Sequence, residues 1–194
     1  HVLNTVPKEA GQLEFEYARS ALKLGLREAA RTGTNPFKFG MIGSTDAHTS
    51  LATAAEDDFW GKTTNVEPGP RSKNASMSLG DTPGLVLFDT WDFVASGYAA
   101  VWATENTREA IFAAMQRKEV YATTGSRIAV RLFGGWGFES QDLDRPDAVR
   151  HGYRNGVPMG GDLKSGKGKT PGFLVTAMKD PRGANLDRVQ IVKG

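Results

Sequence analysis

The chain has no cysteine, which excludes a disulfide framework and thiolate metal ligands, so a bound metal would have to be held by His, Asp, Glu or water. Histidine is scarce too, with three in 194 residues. No apolar run approaches the roughly 20 residues of a membrane helix, and neither end shows a basic-then-apolar targeting sequence, so no membrane span is expected. A strong charge of one sign is also missing. Residues 1–100 hold 9 basic and 12 acidic side chains, residues 101–194 hold 15 and 10, and the net formal charge is +2. Such dispersed charge reads as a solvated basic face, and no nucleic-acid partner is expected, because that would call for a clustered basic stripe with interleaved aromatics.

What the chain does have is ordinary globular composition, 39% hydrophobic and 24% charged, with 23 glycines that announce many turns. The periodicity predicts a helix over 9–32, with apolar rows at Leu13, Tyr17, Ala21, Leu24 and at Ala18, Leu22, Gly25, Ala29, stopped by Gly33 and Asn35-Pro36. A buried strand over 37–42 follows, a helix-to-strand step typical of α/β architecture. Periodicity then fades between 49 and 84, which reads as a long surface loop. A short helix is expected near 87–96 and a strand over 98–103. A second clear helix begins at Asn106, with Glu109 completing a capping-box-like start, and a strand at 120–122 runs into Thr123-Thr124-Gly125-Ser126. Beyond Gly125 the pattern predicts strands at 128–133, 173–178 and 189–192 with no further helix, an antiparallel β unit. The chain opens on His1 and closes on Gly194 directly after a predicted strand, so it reads as a fragment.

The stretch most informative about function is Phe39-Gly40-Met41-Ile42-Gly43-Ser44-Thr45-Asp46-Ala47-His48, which reads as half of a metal site. An apolar strand ends there in small residues and an Asp-x-His pair. Carboxylate oxygen and imidazole nitrogen two residues apart can converge on one divalent cation, and that donor mix suits zinc, manganese or iron better than calcium. A hydrogen-bonded turn is the plainer alternative for the same residues. The position favours chemistry, since active sites of α/β proteins lie at the carboxyl ends of strands.

Gly43-Ser44-Thr45-Asp46-Ala47-His48 resembles the last metal motif of the PHP (polymerase and histidinol phosphatase) superfamily of metal-dependent hydrolases. The stretches 35–40, 105–112 and 121–128 look like one large bacterial branch of PHP-like proteins, known chiefly as a domain of unknown function, and the likeness spans roughly residues 12–194. The resemblance implies that residues 1–126 are the carboxyl-terminal part of a distorted (β/α)7, TIM-like barrel, followed over 127–194 by an incomplete β-rich accessory unit. It implies Asp46 and His48 as ligands in a cluster of up to three divalent ions (Zn, Mn or Fe), with metal-bound hydroxide as nucleophile in a phosphoesterase-like hydrolase. The usual motif reads Gly-Ser-Asp-Ala-His, whereas Thr45 is inserted here. The remaining ligands are expected upstream, so the missing upstream part of the same protein is an expected partner and this piece alone should be inactive. Periplasmic export is an expectation of the same branch, with the cytoplasm left open.

Candidates for contacts to a small-molecule substrate, possibly a phosphoester, are Thr45, Lys62, Thr124 and Arg127. Solvated charges or plain turn hydroxyls are the competing explanation for each. His151 reads as a surface histidine. A rival function is a carbohydrate- or protein-binding β module on a non-catalytic scaffold, motivated by Trp136 and Phe138, which glycines flank as they would an exposed aromatic platform.

Overall fold

A computed structural model of the chain describes residues 9–50, 76–77, 88–89, 97–166 and 168–193. After a 3₁₀ turn at Ala10–Phe15, helix α1 spans Ala18–Thr32. Its Ala, Leu, Arg and Glu residues are good helix formers. Gly33, at φ 81, closes it in the left-handed conformation with its N–H donating to Ala29 O at 2.9 Å. The single helix predicted over 9–32 is therefore broken. Tyr17 is extended, and Tyr17, Leu22 and Leu26 stay exposed while Gly25 carries the buried face.

The strands form small antiparallel sheets. Strand β1 (Ser76–Met77) pairs with β2 (Phe88–Asp89), and β3 (Ala99–Val101) pairs with β4 (Val120–Ala122). Strand β5 (Ala129–Gly135) lies between β6 (Gly156–Pro158) and β7 (Gly172–Met178). Every pairing is antiparallel and every sheet is open, so the described residues contain no part of a closed (β/α)7 barrel.

The physical reason is visible between β3 and β4. Helix α2 (Arg108–Gln116) connects them, as a barrel unit would require, but a parallel return needs the chain to cross back over the sheet. Here Lys118, left-handed at φ 62, reverses the chain at the end of α2, with Lys118 N donating to Met115 O and Glu119 N to Ala114 O, both at 3.0 Å. Strand β4 therefore enters head-on against β3, with Val101 opposite Val120.

Other expectations are corrected in detail. Residues 37–42 form no strand but an irregular segment running past β4. Phe88–Asp89 is a strand inside the stretch expected to be helical, whose other residues lie outside the described ones. The α2 cap is Thr107 and not Asn106, its hydroxyl accepting from Ala110 N at 3.3 Å. Helix α3 (Ala148–Asn155) follows a 3₁₀ turn in a stretch where no helix was expected, and residues 189–192 form no strand.

Among the described residues the buried apolar side chains are Ala114, Phe133 and Leu174. Polar contacts join the elements. Trp102 Nε1 on the β3 side donates to Val130 O of β5 at 2.9 Å, and the Arg131 guanidinium lies 3.6 Å from the Trp102 ring centroid. Lys38 Nζ reaches Asp162 Oδ2 at 2.5 Å, a pairing that holds the Asp162 carboxyl below its ordinary range. Among the described residues no helix is long and apolar enough to cross a membrane.

Candidate functional site

The segment 43–48 is positioned by a close approach at Gly43. A Cβ there would lie 3.0 Å from Tyr98 O and 3.2 Å from Thr123 O, so only glycine lets the segment rest on the ends of the β3–β4 pair without displacing backbone. Two hydroxyl turns follow. Ser44 Oγ accepts from Asp46 N and Thr45 Oγ1 from Ala47 N, both at 3.3 Å. Between them Asp46 adopts φ 53, a left-handed backbone that Asp tolerates better than most residues because its short polar side chain can bond locally.

This turn brings the predicted pair together. His48 Nε2 lies 3.2 Å from Asp46 Oδ1, and the two side chains are 65% and 62% exposed. Two ligands held about 2.1 Å from one ion stand about 3.0 Å apart at right angles and about 3.4 Å apart at the tetrahedral angle. The observed separation falls inside that interval and equally matches an imidazole–carboxylate hydrogen bond, so the donor set fits two positions of a coordination sphere. It does not fill one. Among the described residues no group of three or more His, Cys, Asp or Glu could hold an ion. For the described residues the PHP-domain, metal-binding and phosphoesterase terms are thus corrected, because the sheets are open and these residues hold no ligand cluster.

The substrate candidates separate. Thr45 is buried, and its hydroxyl serves the turn. Lys62 lies outside the described residues. Thr124 is exposed next to Thr123, whose carbonyl faces Gly43. The Arg127 guanidinium sits 5.6 Å from the centroid of the Tyr98 ring, and the Arg127 backbone N–H donates to Asp180 Oδ2 at 2.7 Å. Asp180 also accepts from Arg182 N at 3.0 Å, and these two backbone donors, Arg127 first, hold its carboxyl below the usual range. Arg127 and the Gly43–His48 turn therefore flank the same residue, Tyr98.

Two polar centres escaped the sequence reading. Glu119 is 3% exposed, accepting from Arg117 Nη2 at 2.8 Å and from the Tyr153 hydroxyl at 2.9 Å. Burial, and then the hydrogen bond to Glu119, raise the Tyr153 pKa. His151 is half-buried and not a freely exposed surface histidine. Its Nε2 lies 3.2 Å from Asp142 Oδ1, with side-chain exposures of 18% and 10%, and Asn155 Nδ2 lies 3.1 Å from its Nδ1. The i, i+4 spacing of His151 and Asn155 was the available signal. In Arg117-Lys118-Glu119, by contrast, mixed charge reads as solvated surface. The aromatic pair of the rival reading is packed: Trp136 Nε1 donates to Lys164 O at 3.0 Å with its ring against Gly166, and Phe138 rests on Gly135, Gly156 and Gly172.

A family model described as a protein of unknown function, DUF3604, matches residues 2–194. The chain belongs to the DUF3604 family. That description carries no activity, and the match spans both the Asp46–His48 turn and the sheet of β5, β6 and β7 in DUF3604. No curated protein and no solved structure matches the chain.

Proposed function

We propose that this DUF3604 chain contributes Asp46 and His48 to the metal centre of a divalent-ion-dependent hydrolase acting on a small molecule, the other ligands coming from groups outside the described residues. The observation that carries the reading is the 3.2 Å approach of His48 Nε2 to Asp46 Oδ1 on an open, left-handed turn. Asp46 supplies hard anionic oxygen and His48 borderline nitrogen, a mixture suited to zinc, manganese or iron. Such an ion, when bound, acidifies water and polarises a substrate oxygen. The chain's own residues orient and admit. Ser44 and Thr45 fix the turn, Gly43 seats it on Tyr98 and Thr123, and Arg127 on the same rim faces the anionic part of a substrate.

The test is metal content and hydrolysis of a panel of esters by the intact protein and by its Asp46→Ala and His48→Ala variants. Loss of both properties in both variants is expected. Full retention of metal and activity in either variant overturns the reading.

A further inference from the structure

The outer face of α3 has chemistry that the metal reading does not use. A cleft of about 690 Å³ opens there, lined among others by Pro146, Val149, Arg150, Tyr153 and Arg154. Arg27, Arg31, Arg117, Arg145 and Arg188 each pair with a carboxylate. Arg150 and Arg154 make no ion pair or hydrogen bond among the described residues, although both are exposed. They stand one helical turn apart, about 6 Å on a helix surface, with Tyr153 on the same face. The ring is anchored by its hydroxyl on Glu119 Oε1 at 2.9 Å and by an edge contact with Phe133 at 4.9 Å between centroids, with the Arg131 guanidinium 6.0 Å from its centroid.

The carboxylate that lines the cleft is already compensated, since Asp147 accepts from Arg145 Nε at 3.0 Å. The face therefore presents two uncommitted guanidinium forks beside the partly exposed Tyr153 ring and the apolar Pro146 and Val149. Guanidinium forks match carboxylate and sulfate geometry, while the ring and its apolar neighbours match the CH face of a pyranose. A nucleic acid would require a longer basic stripe than two arginines in a chain of net charge +2.

We propose that the outer face of α3 is a binding site for an acidic saccharide, with Arg150 and Arg154 on its carboxylate or sulfate groups and Tyr153 under a sugar ring. The test titrates the intact protein with oligogalacturonate, a chondroitin sulfate oligomer, neutral maltohexaose and oligo-dT. Binding of at least one acidic saccharide is expected, weakening as salt rises, with neutral and nucleic-acid probes at least tenfold weaker. Arg150→Gln with Arg154→Gln should lose at least tenfold, Arg150→Lys with Arg154→Lys should lose less, and Asp46→Ala should bind as the wild type does. Absence of binding by both acidic saccharides, equal binding of maltohexaose or oligo-dT, or an undiminished Gln double variant overturns the proposal. The wild-type comparison decides even where a variant folds poorly.

Discussion

Tyr153 and Glu119, 34 residues apart in sequence, meet through a 2.9 Å hydrogen bond from the phenol to Glu119 Oε1. The contact ties α3 to the turn that leads from α2 into β4. Its strength comes from burial on the carboxylate side, because Glu119 is 3% exposed and Arg117 neutralises its other oxygen at 2.8 Å. A charge withdrawn from water in this way is stabilising only while all its partners remain.

Glu119→Ala should therefore cost about 3 kcal/mol, and Tyr153→Phe about 1–1.5 kcal/mol. A double-mutant cycle by urea unfolding should return a coupling energy of at least 0.5 kcal/mol, by the usual magnitude for residues in contact. Additive losses would show that the two groups do not act together.

The same contact gives an alkaline limb. The Tyr153 pKa is raised in the fold, by burial first and Glu119 second, so folding favours the neutral phenol. Its contribution is complete below the unfolded tyrosine value of about 10 and is lost as pH climbs through the higher folded value. Thermal melts of the wild type and Tyr153→Phe should diverge less above about pH 10 than at neutral pH.

At the acid end the relevant carboxyl is Asp180, held low first by Arg127 N–H and then by Arg182 N–H. A depressed carboxylate contributes stability above its unfolded value of about 3.9 and loses it as pH falls through the folded value. Asp180→Asn should flatten the loss of melting temperature below about pH 4 and shift the tyrosine fluorescence of Tyr98 as Arg127 loosens. An unchanged acid limb would remove Asp180 from that role.

The left-handed turn at Asp46 separates strain from chemistry. Asp46→Gly relieves the φ 53 backbone, and it should hold or raise stability by up to about 1 kcal/mol while abolishing metal retention. Asp46→Ala keeps the strain and should lose both. Equal metal content in wild type and Asp46→Gly would sever the turn from the proposed function.

Gly160 tests the seam between the β6 turn and α2. At φ 79, a Cβ there would sit 2.1 Å from Lys118 O, backbone against backbone, so Gly160→Ala should cost about 2 kcal/mol or more. Denaturant midpoints measure it directly.

Much of the local structure is legible in the sequence because it rests on local causes. The strands at 120–122, 129–135 and 172–178 follow from β-rich runs between turn residues, and α2 from a capping residue ahead of Ile111 and Met115. The Asp46–His48 contact is likewise local, two residues spanning one turn. What sequence could not show depends on encounters at long range. The choice of antiparallel over parallel pairing was decided by the backbone of Lys118, a residue with no turn propensity to announce it. The strand expected over 37–42 has the right composition, yet apolarity alone does not supply a pairing edge. Helix α3 was hidden because Arg, His, Asn and Gly dilute its apolar pattern, while its stability derives from contacts such as Tyr153 against Phe133.

His151 has a consequence for measurement. Asn155 Nδ2 contacts both His151 O and Nδ1, and because a carbonyl oxygen can only accept, that atom must be the amide nitrogen. Nδ1 is then an acceptor, and in the neutral ring the proton resides on Nε2, facing Asp142. A ring held between Asp142 and Asn155 gives ring ¹⁵N resonances that report on both contacts. His151 is thereby a built-in gauge of the three-stranded unit, able to report in one spectrum whether a change at His48 altered only the site or the folded chain as well.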